Sequence, residues 1–246
     1  MILRLVLGLS LLLGAGSVTA IECSVAEDQG NRYSVCIIDP GEDRIDLWLA
    51  DETGTVFGNF AQLDAKLVEK GKTLALAMNG GMYHPDRRPV GLYVEDGKQV
   101  APLVTREGPG NFGLLPNGVF CVTPNGTARV IESRAFKAEA PNCRIATQSG
   151  PMLVIDGALH PAFIEDSDSV LLRNGVGVRA DGMVVFAVAD TPVNFHSFGT
   201  YFRDVLDTPN ALFLEGRVVR LFSTDLNRAD LGRPMGPIIG IAREAN

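Results

Sequence analysis

The sequence predicts an α+β fold: a mixed, largely antiparallel sheet with a few packed helices. Three observations carry this reading. Short β-prone runs are separated by Asn-Gly and Asp-Gly dipeptides, which supply the positive φ of tight hairpin turns. Two other segments repeat their apolar residues at helical spacing behind a capping asparagine. Hydrophobic residues make up 46% of the chain, enough for a sizeable core.

Taken in order, the chain opens with the basic Met1–Arg4, the apolar run Leu5–Leu13 and the small-residue tail Gly14–Ala20. Val18 and Ala20 stand at −3 and −1 of a signal-peptidase site, so residues 1–20 are expected to be a signal peptide cleaved after Ala20. The apolar core is shorter than the roughly 20 residues of a bilayer span. Cys23 has no small residue directly before it, which disfavours a lipoprotein. The expected organisation is a signal peptide, 1–20, and one domain, 21–246, periplasmic or secreted, with no stable membrane span after cleavage.

Cys23, Cys36, Cys121 and Cys143 all follow the cleavage point. An even count in an oxidising compartment favours disulfides, with three connectivities open. Cys23–Cys36 and Cys121–Cys143 are preferred, because each pair brackets a short segment that can fold back on itself. The net charge of −7 and the lack of any Lys or Arg block argue against nucleic acid, whose binding needs clustered cations.

Among the elements, Asp96-Gly97 separates Val90–Glu95 from Lys98–Val100, and Asn117-Gly118 separates Phe112–Leu115 from Val119–Val122. Asn125-Gly126, Asp156-Gly157 and Asp181-Gly182 repeat the device. Asn59 can cap a helix with Phe60, Leu63, Leu67 and Val68 on one face, ending at Gly71. Asn194 can cap another, with Phe195, Phe198, Phe202, Val205 and Leu206 on one face and Thr208-Pro209 ending it. A shorter helix is expected around Glu132–Ala138.

Four segments place polar residues and glycines where a core strand should not. Asn79-Gly80-Gly81 follows the apolar strand Thr73–Ala77; paired glycines permit close backbone approach to a ligand, and the Asn79 amide can bond a hydroxyl or phosphate. In Gln148-Ser149-Gly150 the two polar side chains point to opposite faces of a strand, one toward a site. Ser167 and Ser169, followed by Arg173-Asn174-Gly175, make a reasonable phosphate receptor, since a guanidinium fork matches two phosphate oxygens. Glu215-Gly216 ends the apolar strand begun at Asn210; a carboxylate beside apolar residues is what acid/base or glycosidase work requires. His84, His160 and His196 share no metal spacing, and no Gly-x-Ser-x-Gly accompanies them, so no metal, cofactor or serine-hydrolase triad is implied.

Together these segments resemble the phosphodiester glycosidase family, in its short bacterial branch. The resemblance covers roughly Thr73 to Ile241. It is carried by Asn79-Gly80-Gly81-Met82-Tyr83, Pro89-Val90-Gly91-Leu92, Gly110-Asn111-Phe112, Pro116-Asn117-Gly118-Val119-Phe120, Gln148-Ser149-Gly150-Pro151, His160-Pro161, Ser167 with Ser169, Arg173-Asn174-Gly175-Val176-Gly177 and Asn210-Ala211-Leu212. Where the family has Leu-Asp-Gly-Gly after the last of these, this chain has Leu214-Glu215-Gly216-Arg217, whose carboxylate reaches one methylene further.

The resemblance implies an exported hydrolase that cleaves a sugar-1-phosphodiester between the anomeric carbon and the phosphate oxygen. Arg173 then holds the phosphate, helped by Ser169 or Asn174. Glu215 stabilises an oxocarbenium-like transition state or activates water, with Asp190 the candidate second carboxylate. Asn79 and Gln148 position the substrate. The expected partner is a carbohydrate or phosphodiester-linked glycan. The rival expectation is a non-catalytic periplasmic glycan-binding domain using the same pocket.

Overall fold

The computed structural model describes residues 21–245. The expected signal peptide and its cleavage point lie outside them.

The chain begins with β1 (Glu22–Asp28), β2 (Asn31–Ile38) and β3 (Ile45–Trp48), then α1 (Phe60–Val68) and β4 (Lys72–Asn79). A second stretch holds β5 (Tyr93–Glu95), β6 (Lys98–Ala101), α2 (Gly110–Gly113), β7 (Gly118–Val122), β8 (Ala128–Glu132) and α3 (Ser133–Glu139). There follow β9 (Ile145–Ser149), β10 (Met152–Ile155), β11 (Ala158–Leu159), β12 (Asn174–Val178) and β13 (Val184–Ala189). The last part comprises α4 (Phe195–Thr200), a π-helical turn (Tyr201–Val205), β14 (Asn210–Glu215), β15 (Leu221–Ser223), β16 (Arg228–Ala229) and β17 (Ile238–Glu244).

These strands form three sheets, ordered β1-β2-β13-β12-β14-β10-β11, β16-β15-β4-β17-β3 and β6-β5-β9-β7-β8. Neighbours within them pair antiparallel, as the turn dipeptides predict. The architecture is α+β, with short helices packed on antiparallel sheets. Asp96-Gly97, Asn125-Gly126, Asp156-Gly157 and Asp181-Gly182 each join two paired strands. Asn117-Gly118 does not. The residues expected as its leading strand form α2 and an approach through a cis Leu115–Pro116 bond, and Asn117 is buried with its amide on the carbonyl of Phe112 at 2.9 Å.

One apolar cluster takes residues from all three sheets, among them Ile38, Leu76, Phe120, Val176, Phe186, Leu214 and Ile239. The helices cover the outer faces. Asn59 caps α1 by accepting from the N–H of Gln62 at 2.9 Å, and Phe60, Leu63 and Leu67 pack on the β4–β17 sheet. Val68, expected on that face, is exposed: it lies one position, about 100°, beyond Leu67. Asn194 caps α4 through the N–H of Ser197, and Phe198, Phe202 and Leu206 are buried against the first sheet. Val205 was expected beside them and is exposed, because the π-helical turn carries an extra residue and moves it off the stripe.

Both disulfides form as expected. Cys23 and Cys36 face each other across the β1–β2 ladder, and Cys121 on β7 reaches Cys143 just before β9.

Candidate functional site

Strand ends from the three sheets meet at one place. Asn79 ends β4, Ser149 ends β9, Asn174 starts β12 and Glu215 ends β14. Asn174 and Glu215 are cross-strand partners. The three sheets are tied together there by side chains: the hydroxyl of Thr147 donates to the carbonyl of Gly80 at 2.6 Å, that of Ser149 to Leu214 at 3.1 Å, and the Asn174 amide to Asn79 at 3.0 Å. This buried polar network fixes the position of the four strand ends relative to one another.

Beside it opens a cleft of ≈ 510 Å³. Glu215, Gly216, Phe213 and Arg217 supply one wall, Met82, Tyr83 and His84 a second, Asn111 and Phe112 a third, and Ser169 and Leu171 a fourth. Oε1 of Glu215 accepts the N–H groups of Gly216 at 3.0 Å, Arg217 at 2.6 Å and Val218 at 3.4 Å. Oε2 takes no hydrogen bond among the described residues. Burial raises the pKa of the Tyr83 phenol, and the Glu215 charge raises it further. The phenol is therefore a protonated donor at neutral pH.

Of the residues expected at a site, Glu215, Gly216 and Ser169 line this cleft. The others stand behind it. Asn79 is fully buried: its Oδ1 accepts from the N–H of Arg220 at 2.8 Å and its Nδ2 donates to Val218 at 2.6 Å, pinning the turn after Glu215 to β4. Gly80 and Gly81 admit close packing rather than a ligand. A Cβ on Gly80 would meet the Ile238–Ile239 backbone at 3.0 Å, and Gly81, at φ 146°, lies against the Thr147 hydroxyl. Gln148 and Ser149 are both committed internally, so neither faces the cleft. Oε1 of Gln148 accepts from Leu92 and Val104, each at 3.0 Å, and its Nε2 donates to Val104 and to Asn117. Gly150 precedes the cis bond to Pro151, where a side chain would strike Asn117. The Ser167 hydroxyl accepts from the N–H of Ser169 at 3.3 Å and shapes the loop that presents Ser169.

Arg173 is fully buried, not exposed to a ligand as a free fork. Nε donates to the carbonyl of Val193 at 2.8 Å and Nη2 to that of Ser169 at 2.9 Å. The guanidinium lies 3.7 Å from the Phe195 ring centroid and 5.5 Å from that of Phe213, a cleft-wall residue. Burial lowers its pKa to about 10, so it stays charged at neutral pH. Nη1 of Arg173 and Oδ1 of Asn174 are buried without a hydrogen-bond partner. The stack continues outward from Phe195 to Phe163 at 5.2 Å and on to His160 at 4.9 Å.

Asp190 lies elsewhere. Its carboxylate accepts from the Ser34 hydroxyl at 2.7 Å and pairs with Arg228 at 2.6 Å, so it holds β2 and β13 to the β15–β16 hairpin and takes no part in the cleft. Tyr83, Asn111 and Phe112 were written in the sequence within the Asn79–Tyr83 and Gly110–Phe112 motifs. Only the fold reveals that these neighbours, and not Asn79 or the glycines, form the walls. Among the described residues no group of three or more His, Cys, Asp or Glu is placed to hold a metal, and no helix is long and apolar enough to cross a membrane.

A family model for the phosphodiester glycosidases matches residues 72–241. An uncharacterized Escherichia coli K12 protein, YigE, is 31% identical over 206 residues, spanning 84% of this chain and 80% of its own length. Among solved structures, the fold is similar to the catalytic domain of zebrafish N-acetylglucosamine-1-phosphodiester alpha-N-acetylglucosaminidase auto-inhibited by its pro-peptide. There the TM-score is 0.61 at 14% identity, covering 90% of this chain and 81% of that one. A Burkholderia pseudomallei K96243 protein named as exported aligns with a TM-score of 0.57 at 12% identity, covering 86% of this chain and 74% of that one.

Proposed function

We propose a function from one premise: this chain belongs to the phosphodiester glycosidase family. It is an exported hydrolase that cleaves a sugar-1-phosphodiester in an extracytoplasmic glycan or glycoconjugate. The observation that carries the proposal is the convergence of strand ends from three sheets on a cleft whose wall includes the Glu215 carboxylate. The two disulfides suit the oxidising compartment to which the expected signal peptide would deliver residues 21–246.

The bond broken joins the anomeric carbon to the phosphate oxygen. A phosphate monoester leaves readily, so the chemistry asks more for stabilisation of positive charge on the sugar than for a strong acid. Glu215 supplies that charge. Its Oε1 is held by three backbone N–H groups, which fixes the direction of the carboxylate, while Oε2 stays available to the sugar or to water. The Tyr83 phenol, protonated beside it, donates to a phosphate oxygen. Ser169 and Asn111 line the cleft as hydroxyl and amide partners. Arg173 contributes a positive charge behind the Phe213 wall and holds the Ser169 carbonyl, and so acts as a positioning residue for the phosphate side. Asn79, Gln148, Ser149 and Asn174 keep the strand ends in register, and Asp190 is outside the chemistry.

The test is release of reducing sugar from a synthetic glycosyl-1-phosphodiester by the protein lacking residues 1–20. Release that disappears in Glu215→Gln supports the proposal. Saturable retention of the glycan with no release makes the domain a binder.

A further inference from the structure

Next to the Glu215 cleft is a second hollow, of ≈ 500 Å³, lined by Leu171, Leu172, Gly216, Arg217, Val218, Val219, Arg220 and Arg233. It shares Leu171, Gly216 and Arg217 with the cleft, so the two adjoin across these residues. Three guanidinium groups and no carboxylate line it. None of the three arginines forms an ion pair among the described residues. The nearby acid, Asp230, is taken by Arg228 through both oxygens, at 2.9 and 2.8 Å. In a chain of net charge −7 three arginines around one hollow without an ion pair are out of character.

One of the three, Arg220, is also held in place. Arg220 is buried, and its Nη2 donates to the carbonyl of Arg233. Gly232, at φ 144°, folds over it, where a Cβ would stand 2.7 Å from Nη2. Asn79 holds the backbone N–H of Arg220 from the other side. Like charges gathered around one hollow repel one another, and an anion that joins them relieves the repulsion. The remaining wall, Leu171, Leu172, Val218 and Val219, offers apolar contact to a short carbon chain.

We propose that this hollow is an aglycone subsite, which takes a second phosphate carried on a short polyol or alcohol beyond the bond cleaved at Glu215. The proposal rests on the hydrolase reading for the identity of its ligand. Its test does not require turnover. Arg217 and Arg233 are exposed, so their replacement spares the core. Glycerol 3-phosphate, inorganic phosphate and glucuronate are titrated calorimetrically into the protein lacking residues 1–20 and into R217Q/R233Q and R217K/R233K.

Saturable binding of glycerol 3-phosphate is expected, weakened about tenfold or more in the Gln pair and largely restored in the Lys pair, because at least one charge-assisted contact is lost and regained. Glucuronate is expected to bind more weakly than either phosphate compound. No saturable phosphate binding, equal binding by wild type and the Gln pair, or a preference for glucuronate overturns the subsite. Arginine-dependent phosphate binding by a protein that releases no sugar upholds the subsite and removes the hydrolase reading. Sugar release with no arginine-dependent binding does the reverse.

Discussion

The backbone N–H of Arg217 donates to Oε1 of Glu215 at 2.6 Å, so the carboxylate at the end of β14 closes the turn that follows it. One residue thereby has two separable duties, holding the turn and carrying charge at the cleft. Glu215→Gln keeps an acceptor at Oε1 and removes the charge; Glu215→Ala removes both. The Gln variant is expected to fold with wild-type stability and to lose about 10²-fold or more in kcat. The Ala variant is expected to lose the same activity and about 1 kcal/mol of stability, the size of a lost cap. Steady-state turnover and urea titration of both variants check this. A Gln variant as active as wild type removes Glu215 from the chemistry.

Arg173 poses the opposite case, a charge that acts from behind the wall. Arg173→Met keeps most of the side-chain volume but removes one donor each from the carbonyls of Val193 and Ser169. The Val193 carbonyl keeps the N–H of Leu171 at 3.1 Å and Ser169 is exposed, so the lost hydrogen bonds are expected to cost about 1 kcal/mol. Arg173→Lys keeps the charge but cannot serve both carbonyls from one ammonium, and its cost is expected to fall between wild type and Met. If positioning of Ser169 is its role, the Lys variant raises KM more than it lowers kcat. Denaturant midpoints and the KM-against-kcat split measure both effects.

Four of the hairpins were readable because turn chemistry is local. Asp96-Gly97 or Asp181-Gly182 dictates a hairpin from a few atoms, and so does Asn59 as a helix cap. The errors fall where a distant partner decides. Asn117-Gly118 carries a turn signal, yet its amide is claimed by Phe112 and by Gln148. Val205 carried the helical period, and the π-helical turn shifted it outward. The site shows the same division. The sequence marked the strand ends where polar residues interrupt apolar runs, and those ends do converge. It could not say which polar groups would be consumed in joining three sheets and which would be left facing the cleft. Asn79 and Gln148 were consumed; Tyr83 and Asn111, a few residues from the marked positions, face it.

The Cys121–Cys143 bond closes a loop with a sequence separation of 22, through the β7–β8 hairpin and α3. Restricting a loop of that length in the unfolded chain stabilises the fold by about 3 kcal/mol. C121S/C143S is therefore expected to lose about that much in guanidinium titration. C23S/C36S should lose somewhat less, because its loop is shorter, with a separation of 13, and its two residues are already cross-strand partners. Equal stability of C121S/C143S and wild type would show that the native pairing is not this one.

Tyr33 and Tyr201 stack with ring centroids 3.8 Å apart, both almost fully buried. Burial raises the pKa of each phenol, to about 12 for Tyr201 and higher still for Tyr33, and the Asp28 charge pushes both the same way. The unfolded chain ionises these groups near pH 10, while the folded chain keeps them neutral. Above pH 10 the unfolded state thus binds fewer protons, and stability falls with rising pH. The stability in question is fully present below about pH 10 and is lost as the pH climbs toward the folded-state values. Tyr201→Phe keeps the stacked ring and removes one ionisable group. It is expected to match wild type at pH 7 within a fraction of a kcal/mol, since the ring keeps its place in the apolar cluster and the hydroxyl makes no side-chain hydrogen bond among the described residues. At pH 11 it should be the more stable protein. Denaturant midpoints taken at pH 7, 9, 10 and 11 check this: a wild type and a Tyr201→Phe variant that fall in parallel across the whole range would place the alkaline instability in other groups.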